Sequence, residues 1–486
     1  MRAFMRAWAR CQTSARATAG DRATQRQMPP PPTGRTLRNR PCRGPWPRDR
    51  AAHVSCAGRS EVTELAGDLP RAGRFAALAA PAYRRYWYGS VASVGGSQLM
   101  MIGQSWLVYR LSGSTLDLGL LGAASAIPNI LMSLFGGALA DQLDKRLVLM
   151  ATALVSTALL CVLAALDFTG VVRVWHVLVI AALYSLVSGL DFPTRQALFP
   201  HLINRAHMMS AVALNSIVWQ STRMIMPALG GVLLRYSSTW LLFLLAAIGA
   251  LSMYFVMQPL RVAVPVRTNS STLGQIAEGI SFISGDRLFA ALIGLTFMSM
   301  LFGSSYLQLM PAFAKLLGSG ATGFGALMSA TGVGSVLGTL LATGFQHTRR
   351  LGWLLLSAAA AAAVLIIGFA LITAAAPVLP FAYTLAMVCA MVGSLASSVY
   401  LISSMTVLQL AVPDELRGRV MGIHGISYSF MSLGALFIGA LANSTSAPFA
   451  SGLSAMILLL FIVWLTSARP VIRDIDGTQQ RTAFAG

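Results

Sequence analysis

The chain has 486 residues, of which 56% are hydrophobic and 11% charged, with a mean hydropathy of +0.67. Soluble proteins carry charge at about 25% of positions, so a set of water-soluble domains is excluded and a polytopic α-helical membrane protein is expected. The formal net charge of +20 would suit a nucleic-acid binder, but its placement along the chain argues against nucleic acid as a partner.

Residues 1–60 hold 13 of the 36 basic residues, all arginine, and 2 of the 16 acidic ones. With the Pro29–Pro32 run and no apolar stretch, this segment cannot bury a core. Residues 1–80 read as a disordered basic extension, or as upstream sequence ahead of a start near Val62. A membrane span needs about 20 mostly apolar residues. Twelve such windows follow: 87–109, 116–140, 147–167, 173–194, 211–234 and 239–258, then 288–312, 320–345, 351–374, 378–405, 420–442 and 449–468. They predict a six-helix half over 81–258, a polar cytoplasmic linker over 259–287, a second six-helix half over 288–470 and a cytoplasmic tail over 471–486.

Lys and Arg accumulate in cytoplasmic loops. The side holding the amino terminus carries 16 of them after residue 80 and the opposite side 4. Both termini are therefore expected in the cytoplasm and the protein in the cell (inner) membrane. A repeat supports the six-and-six division: Gln196–Pro200 after span 4 aligns with Gln409–Pro413 after span 10.

The loop after span 2 contains Gly137, Asp141, Lys145 and Arg146. It resembles the G-x-x-x-D-R-x-G-R-R signature of the major facilitator superfamily, with Gln142 and Asp144 in place of the usual Arg and Gly. The resemblance implies a conformational latch between the halves. Three further stretches narrow it: Trp106–Ser114 closing span 1, Asp191–Pro200 closing span 4, and Val412–Gly422 joining spans 10 and 11. That last stretch includes Pro413, Asp414, Glu415, Arg417, Gly418 and Arg419. Together, over about 80–470, they resemble the twelve-span drug:H⁺ antiporter branch that includes enterobactin exporters and macrolide efflux pumps. On span 5, Pro227, Gly230 and Gly231 keep half of the antiporter pattern, while Thr222 and Met226 stand where glycines are expected.

Charges inside a span cost at least about 2.5–3.5 kcal/mol at the centre of a helix, so they face protein or a water-filled cavity. Tyr184, Ser188, Asp191 and Arg195 share one face of span 4 at i, i+4, i+7 and i+11. Arg223 lies deep in span 5, and Asp191 is its expected partner. Either a structural ion pair locks the two spans, or the pair couples to protons or substrate. Gln98, Gln104, Gln220, Tyr306, Gln308, Ser394, Ser398, Tyr400 and His424 are candidate cavity lining; interhelical hydrogen bonding is the alternative for each.

No P-loop and no metal-spaced His/Cys cluster occurs, so neither an enzyme nor an ATP-driven pump is expected, and no cofactor. The expectation is a monomeric secondary active transporter exporting amphipathic drug-like or siderophore-like small molecules across the lipid bilayer against protons. A lysophospholipid or metabolite carrier, or a non-transporting sensor or scaffold of the same fold, is the alternative.

Overall fold

The computed structural model describes residues 76–475, apart from 143, 205–206, 261–280, 282, 346–347, 413, 469–471 and 474. Most of the amino-terminal extension, of the linker and of the tail thus lies outside the described residues. A short 3₁₀ turn, Ala76–Ala79, leads into α1, Pro81–Ser112. There follow α2 (Thr115–Gln142), α3 (Lys145–Phe168), α4 (Val174–Leu198), α5 (Met208–Tyr236) and α6 (Thr239–Met257). The second set is α7 (Leu288–Leu316), α8 (Gly320–Phe345), α9 (Leu351–Ala374), α10 (Ala382–Ala411), α11 (Asp414–Ser444) and α12 (Ala447–Ala468).

Eleven of these are long and apolar enough to cross a membrane. α1 has 32 residues but is less apolar, because serines, glycines, Gln98 and Gln104 interrupt its hydrophobic run. Its ends are set locally. Pro81 occupies the first turn, where a missing N–H costs nothing, and Gly113, at φ 64°, closes the helix with its N–H on the Tyr109 carbonyl. At the start of α3, the Asp144 side chain accepts from the Arg146 N–H at 2.8 Å. Asp144, one of the two residues that depart from the latch signature, is therefore a helix cap.

Packing repeats between the two sets. Within the first, α1 packs on α5 and α6, α2 on α4, and α3 on α4 and α6; within the second, α8 and α9 pack on α10, and α9 on α12. The sets meet where α2 crosses α11 and α5 crosses α8. Glycine makes both crossings possible. A methyl group added at Gly231 would lie 2.8 Å from the Gly325 Cα, and one at Gly439 would lie 3.0 Å from the Gly119 Cα. Bilayer helices gain no hydrophobic drive from one another, so close backbone contact carries their association.

α7 is irregular. Its α-helix, Arg287–Met298, passes through a π segment, Ser299–Ser304, and a 3₁₀ segment, Ser305–Leu309, before resuming at Met310–Leu316. At this break the Ser305 hydroxyl lies 2.8 Å from the Met431 carbonyl of α11 as donor. Such π insertions recur at functional positions in helices.

Candidate functional site

A cavity of about 50 Å³ opens between the two sets of helices. Its walls come from α1 (Gln98, Met101, Ile102, Ser105), α5 (Arg223, Pro227), α7 (Leu307, Gln308), α8 (Phe324, Met328, Thr331) and α11 (Met431). The α1 residues fall at i, i+3, i+4 and i+7, and the α8 residues at i, i+4 and i+7, so each wall is one helix face. Toward the end where α1 stops, Trp106 stacks on Phe324 with centroids 5.7 Å apart. At that same end the Thr115 hydroxyl donates to the Gly439 carbonyl at 3.2 Å, and Lys315 sits 5.6 Å over the Tyr109 ring.

Arg223 is exposed and lines this cavity. Among the described residues it makes no ion pair or hydrogen bond; its electrostatic neighbour is Tyr428 of α11. The expected Asp191–Arg223 pair is not formed. Asp191 instead binds Arg195 one turn along its own helix, Nε to Oδ2 at 2.5 Å. The reason is reach: α4 packs chiefly on α2 and α3 while α5 packs on α1 and α8, so the partner one helical turn away wins. Thr152 of α3 donates to Asp191 Oδ1 at 3.0 Å, and Arg195 Nη2 donates to Ser93 of α1 at 3.0 Å. Tyr184 and Ser188 stand beside the pair, as their spacing implied, and Tyr86 joins them from α1. This cluster ties α1, α3 and α4 together.

Of the candidate lining residues, Gln98 and Gln308 reach the cavity. Gln220 spans the α5–α8 crossing, donating to Thr339 at 3.1 Å. Gln104 is buried between helices. Tyr306, with Ser394 beside it, packs against Phe369 in the core of the second set. Ser398 bonds Ser335 at 2.9 Å, and Tyr400 bonds Thr296 at 2.9 Å, both between helices. His424 is buried, edge-on to Tyr428 at 6.2 Å. These seven therefore do not line the cavity: Gln220, Tyr306 with Ser394, Ser398 and Tyr400 bond between helices, while Nε2 of Gln104 and of His424 is buried without a partner among the described residues. On α5, Pro227 is in the wall, Gly231 makes the crossing, and Gly230 packs near Ile102 and Leu99.

In the latch loop, Arg146 donates to the carbonyls of Met257 (3.0 Å) and Gln258, fixing α3 to the end of α6. Lys145 opens α3. Gly137 and Asp141 fall in α2, but their side chains lie outside the described residues, as do Pro413 and the side chains of Asp414, Glu415, Arg417 and Arg419. Gly418 lies in that same stretch. Sequence reasoning missed Met101, Phe324, Met328, Thr331 and Met431; the helix-face spacing on α1 and α8 was the available signal. It also missed Asp167, which takes Arg110 Nη2 at 3.0 Å while Thr239 donates to its other oxygen.

A family model described as "transmembrane secretion effector" matches residues 72–483. The chain belongs to this family of the major facilitator superfamily. The multidrug efflux pump Tap of Mycolicibacterium fortuitum is 26% identical over 407 residues, 80% of this chain and 96% of that protein. The enterobactin exporter EntS of Escherichia coli O157:H7 is 25% identical over 420 residues, 82% of this chain and 96% of its own. The staphyloferrin A transporter of Staphylococcus aureus is 27% identical over 255 residues, 51% of this chain; the match spans 63% of that relative's length.

Among solved structures, the nucleoside transporter NupG superposes with a TM-score of 0.62 at 14% identity, over 79% of this chain and 98% of that one. A bacterial homologue of the iron transporter ferroportin in its inward-facing state gives 0.63 at 13%, over 80% and 99%. At these identities the likeness is one of fold. The chain is thus a multi-pass membrane protein whose described residues form twelve long helices in two six-helix halves and no strand, a transporter and not an enzyme.

Proposed function

We propose that the protein is a proton-coupled secondary exporter of amphipathic small molecules working by alternating access. The observation that carries this reading is the cavity between the two halves, walled by both and holding polar and apolar faces together. Transporters built of repeated halves bind substrate at such an interface and rock about it. The glycine crossings at Gly231/Gly325 and Gly119/Gly439, with the Trp106–Phe324 stack, act as the seal on the end away from the termini. With both termini cytoplasmic, as the basic-residue bias supports, this conformation receives substrate from the cytoplasm.

Asp191 serves as the proton-responsive group. Protonating it removes the charge that holds Arg195, freeing α4 from α1 and α3, and attraction in a low-dielectric setting makes that change large. The latch loop, with Gly137, Asp141, Lys145 and Arg146, steadies the cytoplasmic side, and the protein acts as a monomer in the inner membrane. Tap and EntS, named as a drug pump and a siderophore exporter, support the substrate class. Expression in a strain lacking its own efflux pumps should lower accumulation of at least one fluorescent dye, and a protonophore should abolish the effect. Unchanged accumulation across a broad panel contradicts the reading.

A further inference from the structure

The geometry points to Arg223 as an anion receptor, making the cavity selective for amphipathic anions: an apolar body bearing one carboxylate or comparably acidic group. The inference rests on the cavity being the transport site proposed above. Four observations carry it.

First, the described cavity wall holds one positive charge and no carboxylate. The acidic side chains of the first half that could neutralise it are engaged elsewhere: Asp191 by Arg195 and Thr152, Asp167 by Arg110 and Thr239. Second, Arg223 is exposed to the cavity and has no ion pair among the described residues, so its guanidinium is free to take a counter-charge. A ligand's anionic group is the natural counter-charge. Guanidinium presents a planar fork that matches a carboxylate through two parallel hydrogen bonds.

Third, the surroundings suit such a ligand. Gln98 and Gln308 supply amide donors, while Met101, Met328 and Met431 with Phe324 offer an apolar wall that adapts its shape. Fourth, the charge is one-sided. Arg223 on α5 and Met431 on α11 occupy corresponding places in the two halves, each eight residues before the crossing glycine, Gly231 or Gly439. Both line the cavity. The repeat thus presents a cation from one half and a thioether from the other, so the ligand lies with its head toward α5 and its body toward α11.

The test uses three probes with one aromatic body: 2-naphthoate, 2-naphthamide and (2-naphthylmethyl)trimethylammonium. Binding is measured calorimetrically on the full chain in nanodiscs. The wild type should bind naphthoate at least about tenfold more tightly than the amide, and the cation more weakly still. Arg223→Gln should bring naphthoate down to the amide. Met431→Glu, which neutralises the cavity with Arg223 in place, should suppress naphthoate at least about tenfold and favour the cation, so the test stands even where Arg223→Gln does not fold. Equal binding of the three probes by the wild type, or an unchanged order in Met431→Glu, overturns the inference. Flux of the same probes into inside-out vesicles separates the two claims. Anion-selective binding without flux refutes the exporter reading and leaves the site. Flux of the cation in preference to naphthoate refutes the site and leaves the exporter.

Discussion

The two halves share a scaffold and differ in chemistry. In the first, charged side chains hold helices together at both ends: Arg110 and Asp167 with Thr239 join α1, α3 and α6, and Asp191 and Arg195 with Thr152 and Ser93 join α1, α3 and α4. In the second, every charged residue between Leu288 and Ala468 is close to a helix end or in a loop. Its interior is tied by neutral pairs such as Thr296–Tyr400 and Ser335–Ser398. The glycine crossings, by contrast, are matched: Gly119 corresponds to Gly325 and Gly231 to Gly439, at offsets of 206 and 208 residues. Shape is what the repeat preserves, and the ion pairs among the described residues sit in one half. That division suits a machine in which one half responds to protons and the other packs the apolar part of the substrate.

The comparison is broken most forcefully at the crossings. Gly231→Val and Gly439→Val each drive a side chain into the opposing backbone. Both should abolish transport and cut the yield of monodisperse protein on gel filtration; loss in one with a silent partner would refute the equivalence. Next, Asp191→Asn should remove the pH dependence of transport while membrane levels stay normal; collapse of the folded protein would instead make the pair structural. Asp167→Ala leaves Arg110 without its partner. Removing one member of a buried pair costs about 3–5 kcal/mol, and because Arg110 is 44% exposed the loss should be nearer 2 kcal/mol. It would be read as a lowered Tm with flux per folded molecule retained. Tyr400→Phe, in the neutral half, deletes a single hydrogen bond and should cost about 1 kcal/mol, with no change in pH dependence.

Most of the fold was legible in the sequence, because twenty-residue apolar windows need no tertiary information. The differences lie at ends. The window 378–405 becomes Ala382–Ala411: Pro377 and Pro380 hold the preceding chain in turns, with Phe381 at φ 62°, and the helix then runs on past its apolar stretch. The break in α7 left no mark in hydropathy. The site was legible by composition but not by pairing. Arg223 stood out as a deep cation, yet spacing along two helices could not say which one Asp191 would reach; Arg195, four residues away, was already on its face. Tyr400 and Ser398 followed the same logic, since a hydroxyl on a helix faces a neighbour as readily as a cavity.

The central claim, that transport through this cavity is coupled to protons by the charged half, is tested most directly in inside-out vesicles carrying an acid-interior gradient and a pH-sensitive fluorophore. Adding a dye that the efflux screen identifies as transported should dissipate the gradient in wild-type vesicles and leave it intact in Asp191→Asn vesicles of equal protein content. A gradient unmoved in the wild type, or dissipated equally in both, would contradict the account.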